Sequence, residues 1–599
     1  MLTIYGDKVV GQDTLVILAD GPTEEIAWAA AVVHTLTPHF SVSDPPGALT
    51  CPLTWAAVVQ LAYAFGPAWQ PQPGLVEWIN HQAAVRMEPP ALRFGPPPGV
   101  TPYAHQNAGA QLIAATGRVL ITDEPGTGKT GTALLGLQEF FDGPRRAWPV
   151  LIVAPASVVD HWVSSVAMWT PYWRAVAYRG PKRQNLLGTA DVYVTSYDVA
   201  RIDAPTGRRG PLNRLAPQAV VIDECHYIKN PGAQRSKAVV RISRDAPVVV
   251  AMSGTPITHN TGDLAPTLEA LDSGAWPSGD RFKERYLLTV RDDSGYGLKV
   301  LGINPDAEPE FRACLEGQMR RVAKADVLDL PDKIYSTRTV ELPREWRKAY
   351  DSFEQDMYAS LPDDGGELMV MAVFTVLTHL KALACAPADV RISVTEEMDE
   401  NPQSPTFGEL VEKRHVHLDL KAPSWKVNAL LEVLEERPDQ QVLVFAPSKQ
   451  LIEMAGRAAE QAGRRVGYIV GGQSARQRTA VVDAFQAGEL DAVFATTSAG
   501  GVGITLTAAS TVVFLQRPLS LVESIQAEDR AHRIGQTATH VEYIDIIAKD
   551  TIDSRIRTIL RDHAGQLADL VRDPRIRAEL FGGARAEARS TQTQEGQAA

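Results

Sequence analysis

Three groups of residues in this 599-residue chain have the types and spacing for chemistry on a phosphate. The first is a glycine loop, DEPGTGKT (residues 123–130), between a short apolar run at 119–121 and a segment whose apolar residues, Ala133, Leu134, Leu137 and Phe141, predict a helix. In such a loop, with Pro125 and Thr127 among its nucleotide-binding residues, the glycines Gly126 and Gly128 let backbone N–H groups close on phosphate oxygens, and the helix start adds partial positive charge. Lys129 would reach the β- and γ-phosphates, and the Thr130 hydroxyl would ligate Mg2+. Asp123 stands where the strict G-x-x-x-x-G-K-[ST] pattern has its first glycine, and a chance Gly-Lys-Thr in a surface turn is the plainer alternative. The second group is Asp223-Glu224, directly after the apolar run AVVI. Paired carboxylates at a strand end divide the work of phosphoryl transfer. Asp223 would hold Mg2+, directly or through water, and Glu224 would orient and deprotonate the attacking water. An acidic turn capping a helix is the alternative. The third group is Arg530 and Arg533 in QAEDRAHRIGQ (526–536), whose spacing of three predicts one helix face. From one face both would stabilise transition-state charge on a γ-phosphate as arginine fingers. A surface helix laced with salt bridges has the same composition.

The elements that must position these groups follow from apolar runs. Strand-like runs recur at 119–121, 150–153, 192–195, 219–222 and 248–252, with helical or loop segments between them. Strands alternating with helices imply a parallel sheet covered on both faces, with ligands at the carboxyl ends of its strands. The glycine loop, Asp223-Glu224 and Ser253-Gly254-Thr255 all fall at such ends. A second series at 442–445, 468–470, 492–495, 511–515 and 541–546 predicts a second sheet without a lysine-bearing phosphate loop. Residues 1–97 read as a small α+β module, with strands at 2–5 and 15–18 and a helix over 54–65. There Trp28, Trp55, Trp69 and Trp78 are either a binding surface or, more commonly, core. Between the two series, 336–420 reads as a helical linker or protrusion with a solvated acidic loop at 396–400. Residues 566–599 read as a helix and then a disordered tail.

Bulk composition excludes several classes. Net charge is −12, so nucleic acid would need a local basic track. The four cysteines, Cys51, Cys225, Cys314 and Cys385, form no C-x-x-C pair, which argues against a zinc module or disulfide framework and suits a reducing cytoplasm. The sequence has neither an apolar run of membrane-spanning length nor a signal-peptide pattern.

Between about residues 100 and 560 the chain resembles the SNF2-type ATPases of helicase superfamily 2, in that family's motif order. DEPGTGKT is similar to motif I, LIVAPASVVDHW (151–162) to Ia, VTSYD (194–198) to Ib, DECHYIKN (223–230) to II and SGTPITHN (253–260) to III. RRVAKADVLDLPDK (320–333) resembles the family's R-R-x-K-x-D-V-L-x-x-L-P-x-K linker signature; QVLVFAPSKQ resembles motif IV, TTSAGGVGITLTAAS motif V and QAEDRAHRIGQ motif VI. Without large insertions or zinc elements, the chain looks most like the compact, annealing-helicase-like or bacterial and phage-borne members.

The resemblance implies an α/β fold of two RecA-like parallel-sheet lobes, 98–335 and 421–565, forming a helicase core with Mg-ATP in the cleft between them. It implies that Gln106 reads adenine with His105 at the family's aromatic position, Ala104 replacing the usual proline. Gly501 and Gly503 would approach the nucleotide, and Ser253 and Thr255 would couple hydrolysis to lobe movement. Pro155, Thr195, Ser196 and Thr507 would lie along a nucleic-acid track, on phosphates rather than base edges. Arg517-Pro518 departs from the family's Asn-Pro. The implied activity is DNA-dependent ATP hydrolysis with translocation along double-stranded or forked DNA, in a bacterial or phage-infected cytoplasm, without zinc or membrane. One rival is a strand-separating or RNA helicase, whose motif VI is a Q-R-x-G-R-x-G-R-type stretch. A nucleotide-gated DNA clamp is a second.

Overall fold

The computed structural model describes residues 2–9, 14–36, 41–43, 48–141, 149–205, 210–257, 260–291, 298–359, 367–398, 410–500 and 504–556. Residues Met1–Asp329 form one compact unit and Leu330–Ala599 a second.

The first unit opens with strands β1 (Thr3–Lys8), β2 (Thr14–Asp20), β3 (Ser41–Ser43), β4 (Ala48–Pro52) and β5 (Trp69–Pro71), in the order β3-β4-β2-β1-β5. Helices α1 (Thr23–Leu36), α2 (Trp55–Phe65) and α3 (Pro73–Met87) accompany them. Helix α2 starts where the Thr54 hydroxyl accepts from Ala57 N at 3.2 Å, satisfying one open donor of its first turn. Its Val58, Leu61 and Phe65 join Ile4, Leu15, Ile17 and Val33 in a local core. Ala56 and Ala57, on another face, are buried in the core of the next sheet. The tryptophans are mostly packing residues. Trp69 stacks on Phe65 (6.4 Å between ring centres), Trp78 packs on the local core, and Trp55 lies against the end of the helix Glu308–Glu316, its Nε1 donating to Ala313 O. Trp28 is 52% exposed, edge-on to Phe65.

That sheet contains β6 (Arg118–Ile121), β7 (Val150–Ala154), β8 (Ala175–Ala177), β9 (Val192–Ser196), β10 (Ala219–Asp223), β11 (Val248–Met252) and β14 (Met319–Arg320). The order is β14-β6-β11-β10-β7-β9-β8, and every pair is parallel. Strands β7 and β11 are buried at every residue, which is why they read as unbroken apolar runs. Helices α4 (Ala104–Thr116), α5 (Lys129–Phe141), α6 (Val159–Trp169) and α7 (Tyr197–Asp203) pack around it, while β12 (Leu287–Arg291) and β13 (Leu298–Ile303) pair as a separate hairpin.

The second unit is built on β15 (Asp332–Val340), β18 (Val442–Ala446), β19 (Val466–Ile469), β20 (Ala492–Thr496), β21 (Thr511–Phe514) and β22 (His540–Ala548). Its all-parallel order is β15-β22-β21-β18-β20-β19. This corrects the first-lobe boundary expected at 335, because Asp332 already pairs with His540. The stretch 336–420 is also less helical than expected. Beyond helices Arg344–Ala359 and Glu367–Leu383 it forms an antiparallel hairpin of β16 (Ala388–Met398) and β17 (Leu410–Leu420). Glu396 and Glu397 belong to β16, in a run whose Val390, Ile392, Val394 and Thr395 favour a strand. The remainder of the acidic run, and the tail after 556, lie outside the described residues.

Candidate nucleotide site and the residues that hold it

Strand β6 ends in the glycine loop, and Gly126 and Gly128 take φ values of 84° and 83°, a left-handed conformation that costs glycine least. Helix α5 begins at Lys129. The backbone N–H groups of Gly128, Lys129 and Thr130 donate to no carbonyl among the described residues, so they form an open anion cradle at the helix start. Lys129 Nζ lies folded on the loop, donating to the carbonyls of Asp123 (2.7 Å) and Glu124 (3.2 Å). Gly254 of the SGT segment abuts the loop so closely that a Cβ there would lie 2.6 Å from the Pro125 ring.

His105 and Gln106 sit at the start of α4 and face the same loop. Gln106 Nε2 donates to Gly128 O at 3.1 Å, and its Oε1 accepts from Tyr103 N at 2.9 Å. His105 Nε2 and Thr127 O are 2.8 Å apart, and the imidazole is buried. The expectation that His105 supplies the aromatic face is therefore corrected. Tyr103, stacked on His105 at 5.7 Å and 44% exposed, is the ring at the surface, and the sequence reading passed over it.

Strand β10 ends at Asp223, two strands from the loop in the sheet order. Asp223 Oδ2 accepts from Trp162 Nε1 at 2.7 Å, and Tyr197 Oη donates to the Asp223 carbonyl at 2.6 Å. Burial, reinforced by the Glu224 charge, pushes the Asp223 carboxyl up to about 6. Glu224 adopts φ 50° and ψ 56°, left-handed values rare outside glycine. Ser253 Oγ donates to Glu224 Oε2 at 3.2 Å, His226 Nδ1 lies 3.0 Å from the same hydroxyl and 3.3 Å from Glu224 Oε2, and Thr255 N donates to Ser253 Oγ at 3.2 Å. Burial raises the Glu224 carboxyl, but the His226 hydrogen bond and charge, Lys129 and the Ser253 hydroxyl outweigh it and bring Glu224 below its ordinary value. The two neighbouring carboxylates are thus pushed in opposite directions, a pattern suited to one metal ligand and one base. Ser253 and Thr255 are tied to that base by hydrogen bonds. Asp223 carries no ion pair among the described residues, and its Oδ2 bonds to Trp162 alone among the side chains described. A hard cation held by one carboxylate, one hydroxyl and substrate phosphates fits this donor set.

In the second unit, Arg530 Nη1 and Arg533 Nη1 both donate to the carbonyl of Ile504, at 3.2 and 3.3 Å. They converge, but the expected helix is corrected. Helix Leu521–Glu528 stops two residues short of Arg530, and the arginines lie in successive turns closed by Ala531 and His532 N–H groups donating to Glu528 O. Glu528 anchors this turn. Its Oε1 accepts from Arg517 Nη1 at 2.7 Å and its Oε2 from Tyr335 Oη at 2.8 Å and Lys333 Nζ at 3.2 Å. Arg517, at the family's Asn position, also donates to Asp545 Oδ1 at 2.6 Å. Gly501 and Gly503 lie outside the described residues.

The expected nucleic-acid residues divide. Thr195 is fully buried, its hydroxyl donating to Tyr178 O at 3.1 Å, and Pro155 is buried at the end of β7. Neither reaches the surface, which corrects their assignment to a phosphate track. Ser196 is part-exposed, its Oγ accepting from Val199 N as the cap of α7. Thr507 Oγ1 accepts from Gln486 Nε2 at 3.1 Å. A cavity of about 720 Å3 opens at the opposite ends of the first sheet's strands, lined by Trp55, Arg86, Arg118 and Asp272 among others, away from the convergent polar groups above. Among the described residues no group of three or more His, Cys, Asp or Glu side chains could hold a metal, and no helix is long and apolar enough to cross a membrane.

A glycine loop with lysine and open amides, and a carboxylate pair two strands away at the same end of the sheet, define a phosphate-loop nucleotide-binding protein equipped with the residues of a hydrolase. The SNF2-related domain matches residues 76–389 and the helicase conserved C-terminal domain residues 425–535, and the chain belongs to the SNF2-related family of helicase-type ATPases. It is 29% identical over 462 residues to the TATA-binding protein-associated factor MOT1 of Saccharomyces cerevisiae, covering 69% of this chain and 23% of that protein. It is 26% identical over 465 residues to the human DNA annealing helicase and endonuclease ZRANB3, covering 74% of this chain and 38% of that protein. The chain thus spans well under half the length of these relatives. The Sulfolobus solfataricus SWI2/SNF2 ATPase core in complex with dsDNA aligns at 21% identity and a TM-score of 0.37, over 80% of this chain and 95% of that one.

Proposed function

We propose that the protein is a DNA-dependent ATPase that couples Mg-ATP hydrolysis to translocation along, or remodelling of, double-stranded DNA. The observation that carries the reading is the shared strand end of the first sheet, where open loop amides and Lys129 lie on the same sheet as Asp223 and Glu224. In this reading the loop amides receive the phosphate oxygens, and Lys129 exchanges its two carbonyl partners for the β- and γ-phosphates. Thr130 and Asp223 hold Mg2+, which supplies charge neutralisation to the phosphates when bound. Glu224, kept ionised by His226 and Ser253, takes the proton of the attacking water. Arg530 and Arg533 stabilise the charge that develops on the γ-phosphate. Gln106 reads the adenine, and Ser253 with Thr255 relays the state of Glu224 to the lobe.

DNA as the partner is supported by the name of the human relative, a DNA annealing helicase. Ser196, part-exposed, is the surface candidate for backbone contacts, whereas Thr507 is 8% exposed. A cytoplasmic location is supported by four buried cysteines, none in a disulfide. The experiment is ATP turnover with duplex, forked and single-stranded DNA and with RNA, using Glu224→Gln as inactive control. Stimulation by duplex or forked DNA is expected. Stimulation by RNA alone would replace the reading with an RNA helicase, and DNA binding without turnover would replace it with a clamp.

A further inference from the structure

The residue that breaks the strict phosphate-loop pattern is bonded to a partner far along the chain. Arg320 Nη1 donates to Asp123 Oδ2 at 3.0 Å, and Arg320 Nη2 donates to His105 O at 2.7 Å. The Asp123 side chain is 1% exposed and that of Arg320 14%. The backbone around Arg320 runs alongside the loop. Thr122 donates to Arg320 O through both N (2.7 Å) and Oγ1 (2.8 Å), Glu124 N donates to Val322 O at 3.0 Å, and Lys324 N donates to Glu124 Oε2 at 2.9 Å. Asp123 and Glu124, held in this way, are the two residues whose carbonyls carry the Lys129 ammonium. Space for the guanidinium exists because residue 109 is glycine, where a Cβ would lie 2.2 Å from Arg320 Nη1.

A buried ion pair is a weak source of net stability, since desolvation offsets the attraction. What an arginine fork does well is fix two acceptors in one geometry. Here the acceptors belong to different parts of the nucleotide site, the phosphate loop and the start of the helix that carries Gln106. We infer that Arg320 is a positioning residue for the nucleotide. Through Asp123 it sets the loop carbonyls that park Lys129, and through His105 it sets the helix start that carries Gln106. Asp123 in place of glycine is then the loop's half of this device, and the R-R-x-K stretch has a task in the nucleotide site itself. The inference rests on the nucleotide reading above.

The test is steady-state ATP turnover together with equilibrium binding of a fluorescent N-methylanthraniloyl ATP, on the full chain. The variants are Asp123→Asn, Arg320→Gln, Arg320→Lys, Asp123→Asn with Arg320→Gln, and Gly109→Ala. Asp123→Asn and Arg320→Gln are each expected to raise KM and Kd for nucleotide by about ten-fold, the scale of one lost charge-assisted hydrogen bond, with kcat falling less than KM rises. The double variant should be no worse than the poorer single one, because both remove the same link. Arg320→Lys should recover part of the loss, and Gly109→Ala, whose Cβ would crowd Arg320 Nη1 at 2.2 Å and Thr132 Cγ2 at 2.6 Å, should shift KM in the same direction. Thermal unfolding confirms which variants fold, and Asp123→Asn and Arg320→Lys suffice if Arg320→Gln does not. Unshifted KM and Kd in folded variants, or additive losses in the double, overturn the inference. A wild type that binds no nucleotide overturns the functional reading itself.

Discussion

Trp162 donates its indole N–H to Asp223 Oδ2 across 2.7 Å, from helix α6 to the end of strand β10. The bond favours the ionised carboxylate against the burial that pushes it up, and it fixes which oxygen remains for a cation. Trp162→Phe keeps the ring and removes the donor. The Asp223 pKa should then rise further, moving the acid limb of ATP turnover to higher pH by roughly half a unit to one unit, with a higher Mg2+ requirement. A pH–rate profile at several Mg2+ concentrations reads both effects. An unmoved acid limb would remove Asp223 as the group that sets it.

Asp223 also carries a stability cost that substitution exposes. Its carboxyl titrates near 6 in the folded chain, against about 3.9 in an unfolded one, so the folded state holds the proton more tightly. The stabilising contribution is present at low pH and is lost as pH rises through about 6, where the buried charge must form. Asp223→Asn should therefore raise stability by about 1–2 kcal/mol at pH 7.5 and by close to nothing at pH 4, while removing ATP turnover. Denaturant unfolding at the two pH values, without nucleotide or metal, checks the difference.

Glu224 is held at φ 50°, so its backbone is strained for the sake of where its carboxylate points. Glu224→Gln should lower turnover by roughly 10²–10⁴-fold while nucleotide still binds. Glu224→Gly should be equally inactive yet at least as stable as the parent, because glycine accepts that φ without penalty. Melting temperatures and single-turnover rates separate the two effects. A less stable Glu224→Gly would show that the side-chain bonds to Ser253 and His226 outweigh the backbone strain.

Arg517 neutralises two carboxylates that are almost wholly buried, Glu528 and Asp545, with its guanidinium 4.1 Å from the Phe514 ring centre. Arg517→Asn, the residue its family has there, is too short to span both. It should destabilise the protein by roughly 3 kcal/mol through loss of the cation the two buried carboxylates share, although Glu528 keeps Lys333 and Tyr335. Turnover should fall as well, since Glu528 anchors the turn that carries Arg530 and Arg533. Unfolding curves and ATPase rates of the one variant test both consequences.

What the sequence made legible was what local pattern encodes. Fully buried strands such as β7 and β11 can only be written in apolar residues, and the glycine loop needs its glycines at fixed offsets, so both sheets and the phosphate site could be read directly. Partners that meet only through the fold could not. Trp162 and Asp223 are 61 positions apart and Asp123 and Arg320 are 197 apart, and no local periodicity links them. Both Trp162 and Arg320 ended or began motif segments, and that was the available signal. Spacing correctly brought Arg530 and Arg533 together, but it assigned a helix to what is a chain of turns. Thr195 and Ser196 illustrate a finer limit. Adjacent strand residues face opposite ways, and only the fold decides that Thr195 points inward.

The seam between the N-terminal module and the first sheet bears on where this protein can be cut. The match to the SNF2-related domain begins at residue 76, inside α3, and the match to the helicase conserved C-terminal domain ends at 535. Yet Ala56 and Ala57 lie in the core of the first sheet, Gln60 Nε2 donates to Tyr286 Oη at 3.1 Å, and Trp55 Nε1 donates to Ala313 O at 3.2 Å over Gly317, where a Cβ would come within 2.0 Å of its ring. A fragment that begins at residue 76 would expose apolar core and strip partners from buried polar groups, a recipe for insolubility rather than a minimal motor. The stretch that resembles other proteins is shorter than the stretch that has to fold together.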